Sequence, residues 1–324
     1  MRLLAKEDED VDVEEPDQPP EPARLAWRWT LALAGVAALP RLLYLFVFSN
    51  PENPGLGVYD DVWHHWQIAY LTKEIGLGSP DGPRLWDLKG LDYFWGILHP
   101  ALMVLVFAVT GSVDIVLLRL VSLAFGVLGV VLIFHVCRRL WGTQVGLGGA
   151  MLAAFLPTSV MNDASGMLEP MGVALLMLGI WAWVAGRGWW SGVAFGFATM
   201  ARAEAWIFSF GLVVAASLRR INVRQRPGLW FGFAATIALY MLLLQAKTGN
   251  PIYPLWWNFF ANALGHWGTP ITPSQVGVRP ALGVLLVLGL AGLIWAMRSR
   301  PNGYMLLTFG FGSWIFTWRM NADA

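Results

Sequence analysis

The stretch YDDVWHHW, residues 59–66, is the most chemically loaded part of the chain. Two adjacent carboxylates, Asp60 and Asp61, precede two adjacent histidines, His64 and His65. Neighbouring carboxylates in a partly desolvated cleft repel each other, which raises one pKa and prepares a general base. The same oxygens suit a divalent cation such as Mg or Mn. Solvated acids at the end of a membrane span would also account for the pair. The histidines are poorer metal ligands, because adjacent helical positions point about 100° apart. Packing at an interface or contact with a phosphate fits them better.

Three further stretches carry polar groups among apolar neighbours. In PTSVMNDASGMLEPMG (157–172), Asp163 and Glu169 bracket a Ser-Gly break. Either acid alone is accounted for by helix capping, since a negative charge suits a helix amino terminus. In FATMARAEAW (197–206), Arg202 and Glu204 interrupt an apolar run. A mutual ion pair is the structural reading. The functional one makes Arg202 a phosphate contact, because its planar fork matches phosphate oxygens. In AKTGNPIYPLWWNFF (246–260), Lys247 ends an apolar segment and suits an anionic headgroup; a snorkelling lysine beside an aromatic belt is the alternative. His99-Pro100 is a weaker candidate of the same kind. No Gly-rich phosphate loop, zinc-ligand spacing or Ser-His-Asp signature is present, so ATP-driven and hydrolytic chemistry lack support.

These groups sit in a chain that is 56% hydrophobic and 13% charged. Soluble domains carry roughly 25% charge, so the solvent here is a bilayer. Nineteen tryptophans fit membrane–water interfaces, and a net charge of +1 gives no reason to expect nucleic acid. The one cysteine, Cys137, allows no intrachain disulfide. Residues 1–24 hold nine acids and four prolines with almost nothing to bury, and read as a disordered cytoplasmic tail. They lack the basic start and apolar run of a cleavable signal, so the first span is expected to stay as an anchor.

A helix needs about 20 apolar residues to cross a bilayer. Candidate spans are 25–48, 113–137, 143–161, 169–186, 229–246, 281–297 and 303–318, with 188–218 as two short helices meeting at Arg202 and Glu204. Residues 99–111 are too few to span and read as an interfacial or re-entrant helix. Residues 62–76 form a second interfacial helix, with Trp63, Trp66, Ile68, Tyr70 and Leu71 at the interface. The fold class is therefore all-α: a polytopic membrane protein of about nine transmembrane helices, with interfacial helices in the first outer loop and one membrane domain over 25–324. Arg138, Arg139, Arg187, Arg219, Arg220, Arg224, Arg226, Arg298 and Arg300 fall in alternate loops, which the positive-inside rule makes cytoplasmic. The amino terminus is then inside. The loops 49–98, 162–168, 202–204 and 247–280, with most of the acids beyond the tail, lie outside.

Taken in order, these pieces resemble the glycosyltransferase C superfamily, nearest the protein O-mannosyltransferase and aminoarabinose-transferase branch (family 39-like). The resemblance rests on YDD (59–61), the interfacial helices with His99-Pro100, LRLVSLAFGVLGVVLIFHVCRRLWG (118–142), the acidic turn 162–169, ARAEA (201–205) and TGNPIYP (248–254). It covers roughly residues 25–260. It implies transfer of a sugar, with inversion, from a polyprenyl-phosphate donor to a lipid, glycan or protein acceptor on the outer or lumenal face, at the plasma membrane of a prokaryote. Asp60 or Asp61 would be the base. Arg202 and Lys247 would stabilise the departing phosphate, and Glu169 or Asp163 would orient sugar or acceptor. His65, His99 and Glu204 would complete the substrate-binding set.

Members of this branch are usually longer, and this chain ends just after an apolar segment, as expected of a fragment or a minimal version. No cofactor is expected. The runner-up is a relative of oligosaccharyltransferases, which would hold a divalent metal through Asp60, Asp163 and Glu169. Outside the enzymes, a transporter or lipid flippase is favoured only by the break in 188–218.

Overall fold

The computed structural model describes residues 23–53, 61–76, 95–218, 223–256 and 291. The predicted spans 281–297 and 303–318 lie outside these, apart from Ala291, as do Asp60 and the acidic tail up to residue 22. Ten helices run through the described residues: α1 (Ala23–Leu43), α2 (Asp61–Ile75), α3 (Leu98–Thr110), α4 (Ile115–Trp141), α5 (Thr143–Phe155), α6 (Pro157–Ser165), α7 (Glu169–Val184), α8 (Gly188–Ala201), α9 (Ala205–Leu218) and α10 (Arg226–Thr248). A π turn, Tyr44–Phe48, extends α1, and a short turn, Tyr253–Leu255, follows α10. No strand occurs among the described residues. The chain is an all-α membrane protein.

Trp27–Phe48, Ile115–Trp141 and Val223–Thr248 are long and apolar enough to cross a bilayer. The predicted span 143–161 is two helices, α5 and α6, bent by 60° at Leu156, where Pro157 opens the second. This corrects the sequence reading of 162–168 as an outer loop, because helix continues to Ser165 and carries Asp163 with it. Only Gly166–Leu168 turn the chain into α7. Gly166 has φ +96°, and a Cβ there would stand 2.3 Å from Leu118 Cδ2, so the turn needs glycine twice over. The two short helices foreseen in 188–218 are α8 and α9, with the break at Arg202–Glu204.

Lipid tails are as apolar as the core, so close backbone approach rather than water exclusion holds such helices together. Gly188, Gly192 and Gly196 put a small residue at every fourth position of α8, against Gln225, Leu229 and Thr236 of the α10 side. The two helices thus run parallel, and α9 returns between them in sequence. Gly188 packs against Gln225 at one end, whereas Met200 joins Trp206, Tyr240 and Leu244 in one cluster at the other. Along α4 and α7, Ser122 bonds the carbonyl of Met167 near one end, and Leu140 shares a core with Trp183 and Val184 near the other.

α2 and α3 form a separate cap on the start of α4. Val62, Ala69, Met103, Phe107, Ile115 and Leu118 make its core. Ile68 is buried inside the protein rather than resting at an interface, because α2 turns Val62, His65, Ile68, Ala69 and Thr72 inward. Trp63 and Trp66 pack against the cap, and Trp66 Nε1 donates to the Val113 carbonyl at 2.7 Å.

A Cβ at Gly192 would meet the Leu229 carbonyl oxygen at 2.1 Å, whereas one at Gly211 in α9 has open space. Gly192→Leu should therefore lower stability by about 1–3 kcal/mol through overpacking. Gly211→Ala should be neutral or mildly stabilising through helix propensity. Thermal unfolding of both variants in detergent reads the difference.

Candidate active site

The α8–α9 break gathers charge. α8 ends when Arg202 turns extended (φ −147°, ψ 143°), and its guanidinium then grips Glu204 with Nε and Nη2, both at 2.9 Å. Nη1 lies 3.2 Å from Glu169 Oε1 at the start of α7. Gly172 makes this contact fit, since a Cβ there would press on Arg202 Cγ at 3.0 Å. Burial opposes the charge of Arg202, but Glu204, Glu169 and, more weakly, Asp61 outweigh it and raise its pKa. One cation thus joins the ends of α7, α8 and α9, and lies within electrostatic reach of the first residue of α2. Glu169 Oε2 is buried and has no hydrogen-bond partner among the described residues.

Beside it lies an aromatic and histidine layer. Gly96 lies against the carbonyls of Met200 and Ala201, bringing Trp95 and His99 to the end of α8. His65 meets Trp95 edge-on, with ring centroids 5.1 Å apart, and His99 at 6.2 Å. Ser122 Oγ donates to the Met167 carbonyl at 2.8 Å and faces His99 Nε2 at 3.1 Å. The hydroxyl proton is spent, so Nε2 carries the histidine proton and Nδ1 is the acceptor. Neither His99 Nδ1 nor either ring nitrogen of His65 has a hydrogen-bond partner among the described residues. Burial pushes His99 down to about 4. Burial, then the neighbouring His99, Arg202 and His64, holds His65 well below its ordinary value. Both rings are neutral at pH 7, and a neutral imidazole both donates to and accepts from a hydroxyl.

Asp163 is elsewhere. Its Oδ2 takes a 2.7 Å bond from Arg41 Nε, while Arg41 Nη1 donates to the carbonyls of Ala37 (2.8 Å) and Ala154 (3.0 Å). A Cβ on Gly126 of α4 would stand 2.1 Å from Asp163 Oδ2, so glycine is what lets the carboxylate press against α4. Arg119 does similar work nearer the end of the bundle. Its Nε donates to the Ala164 carbonyl, Nη1 to the carbonyls of Asn50 and Pro51, and Nη2 to Ser49 Oγ. That clamp ties the exit of α1 to the end of α6.

The structure therefore brings together Asp61, His65, His99, Glu169, Arg202 and Glu204 among the residues singled out from sequence. It sets Asp163 apart with Arg41. Lys247 is exposed in the last turn of α10 and makes no hydrogen bond or ion pair among the described residues. The ion-pair reading of Arg202 and Glu204 is the geometry observed. As a metal set, Asp60 is not described, Asp163 is committed to Arg41 and Glu169 to Arg202. No group of three metal-ligating side chains stands together among the described residues. Sequence reasoning missed Arg41 and Arg119, although each is a charge inside an otherwise apolar span, which is a functional signal by default.

The dolichyl-phosphate-mannose-protein mannosyltransferase family model matches residues 96–246, just under half of the chain. This match supports the resemblance to the glycosyltransferase C superfamily. No curated protein and no solved structure matches it. His99, Asp163, Glu169, Arg202 and Glu204 fall inside the matched stretch; Asp60, Asp61, His65 and Lys247 fall outside it. The matched family is one of membrane glycosyltransferases, and the apolar helices of this chain suit an integral membrane protein.

Removing one partner of a buried pair strands the other charge. Arg41→Met should cost about 3–5 kcal/mol, and the double variant Arg41→Met/Asp163→Leu should recover much of it. A double-mutant cycle on thermal unfolding measures the coupling. Acid should also weaken the fold. An unfolded histidine titrates near 6.5, so between that pH and about 4 the unfolded chain binds more protons than folded His99 does. Stability then falls as pH drops through this window. His99→Gln should flatten the dependence between pH 7 and 5.

Proposed function

We propose that the protein transfers a sugar from a polyprenyl-phosphate donor to an acceptor hydroxyl, with inversion, at the end of the bundle that holds Arg202. The observation that carries this reading is the Arg202 cluster. A guanidinium neutralised by Glu204 and Glu169 lies within reach of Asp61, in a chain whose matched family is named for a lipid-phosphate mannose donor. Arg202 uses three N–H groups on these acids, and a guanidinium has five. The remaining two donate hydrogen bonds to the phosphate oxygens, while the charge that grows there as the phosphate leaves is met by Lys247.

In the single displacement, the carboxylate of Asp60 or Asp61 takes the proton of the acceptor hydroxyl. The acceptor oxygen bonds the anomeric carbon as the bond from that carbon to the phosphate oxygen breaks. The polyprenyl phosphate departs with the electron pair. Lys247 is a secondary member of the site that serves the phosphate once the donor is bound, whereas Asp163, outside the site, holds α6 in place through Arg41. Neutral His65 and His99 suit sugar hydroxyls, and Trp95, stacked on His64, holds His65 in place. The sidedness expected from the arginines makes this end of the bundle the outer one.

Purified protein in nanodiscs, given radiolabelled polyprenyl-phosphate mannose and membrane extract, should label an acceptor. Either Asp60→Asn or Asp61→Asn should lower transfer by about 10²–10⁴-fold, the span of a lost general base. Full activity in both variants removes the base assignment. Activity that survives EDTA supports the metal-free reaction; loss restored by Mg or Mn moves the protein to the metal-dependent reading.

A further inference from the structure

A crevice of about 180 Å³ opens on the flank of the bundle between α1, α4, the α5–α6 bend and α7. Its polar end is built by Arg41, Ser159, Asn162, Asp163 and Glu169. Its other wall is apolar, formed by Val130, Ile133 and Val173. Arg41 is 1% exposed; its Nε and Nη1 are bonded, whereas Nη2 has no bond among the described residues. A buried guanidinium donor thus borders an open space inside the membrane domain.

The depth of the crevice is set by its neighbours. α3 begins where His99 meets Ser122 of α4, and Asp163 touches α4 at Gly126, one turn further along. The crevice then follows α4 to Ile133, about 10 Å at 1.5 Å per residue. Val173 at its mouth is 43% exposed on the flank of α7. An occupant therefore slides in sideways from the bilayer, head beside Arg41 and tail along Val130 and Ile133. Glu169 lines this crevice and also contacts Arg202, so the crevice and the candidate active site share one carboxylate.

Charge selects the chemistry of the head. Arg41 is already neutralised by Asp163, and Glu169 is paired with Arg202, so an anionic head meets no net attraction. What remains is a set of donors and acceptors suited to hydroxyls: Nη2, an amide, a serine hydroxyl and carboxylate oxygens. The apolar wall suits a hydrocarbon tail better than a polar glycan. We infer that the crevice admits a membrane lipid with an uncharged, hydroxyl-bearing headgroup, which the enzyme uses as its acceptor. This rests on the transferase reading above and names the acceptor class that reading leaves open.

The test separates the two. The full chain is placed in nanodiscs, without donor, with one of three diazirine-bearing lipids: a glucosyl diacylglycerol, phosphatidylcholine or polyprenyl phosphate. After illumination, peptides carrying Val130–Ile133 or Val173 are read by mass spectrometry. The glucosyl lipid should label them about tenfold more than phosphatidylcholine, the effect of one or two hydrogen bonds. Val173→Trp, which fills the mouth, and Ser159→Ala/Asn162→Leu, which removes head contacts, should each abolish that preference with an unchanged thermal midpoint. Equal labelling by the first two lipids, preferential capture of polyprenyl phosphate, or labelling indifferent to Val173→Trp overturns the inference. Labelled donor is then added. Capture with transfer to the glucosyl lipid supports both readings. Capture without transfer from any polyprenyl-phosphate sugar removes the transferase reading and the acceptor role. Transfer to a soluble acceptor without capture removes the crevice and keeps the transferase.

Discussion

A guanidinium inside an apolar bundle keeps its charge and must be surrounded by oxygen, because leaving it unpaired away from water costs several kcal/mol. Arg41, Arg119 and Arg202 meet this demand in three ways. Arg41 takes one carboxylate and two carbonyls, Arg119 takes three carbonyls and a hydroxyl, and Arg202 takes two carboxylates. Each set includes oxygens from a helix end distant in sequence. Satisfying the arginines therefore decides which ends converge: α1 with α5 and α6, the exit of α1 with α6, and α7 with the α8–α9 break.

The glycines make those convergences sterically feasible. Gly126 admits the Asp163 carboxylate to the surface of α4, and Gly172 admits the stem of Arg202 to α7. Along α8, Gly188, Gly192 and Gly196 let a second helix lie close enough for backbone contact. Because lipid supplies no hydrophobic drive between helices, such contacts supply much of the packing energy. Charge pairing and small residues thus act together. The first fixes which helix ends meet, and the second lets them meet at bonding distance.

Glu169 is where the two polar regions join. One oxygen faces Arg202 and the residue also lines the crevice around Arg41. A bend of 60° between α5 and α6 creates that crevice, since a straight helix through Leu156 would not return Asp163 to α4. The helix break and the buried pair are therefore one device: the Ala154 carbonyl that precedes the bend is held by the same arginine that holds Asp163.

Much of the membrane architecture was legible in the chain, because burial in lipid imposes a composition. Apolar runs of the right length announced α1, α4 and α10, the shorter run 99–111 announced α3, and the interruption at Arg202 announced the α8–α9 break. The pairing of Arg202 with Glu204 was also legible, being two residues apart. Three things were not. Asp163 reads as a loop acid by its polar neighbours, yet helix continues through it because Arg41, 122 positions earlier, supplies its counter-charge. Ile68 and His65 read as interfacial, yet α3 covers them. The contact of Glu169 with Arg202 spans two helices that no local pattern relates. Sequence by itself determined the solvent, the fold class and the residue types available for chemistry, since these follow from hydropathy and local spacing. Only the tertiary structure decided which charges neutralise one another, because in a medium without water that choice depends on distances between helices rather than along the chain.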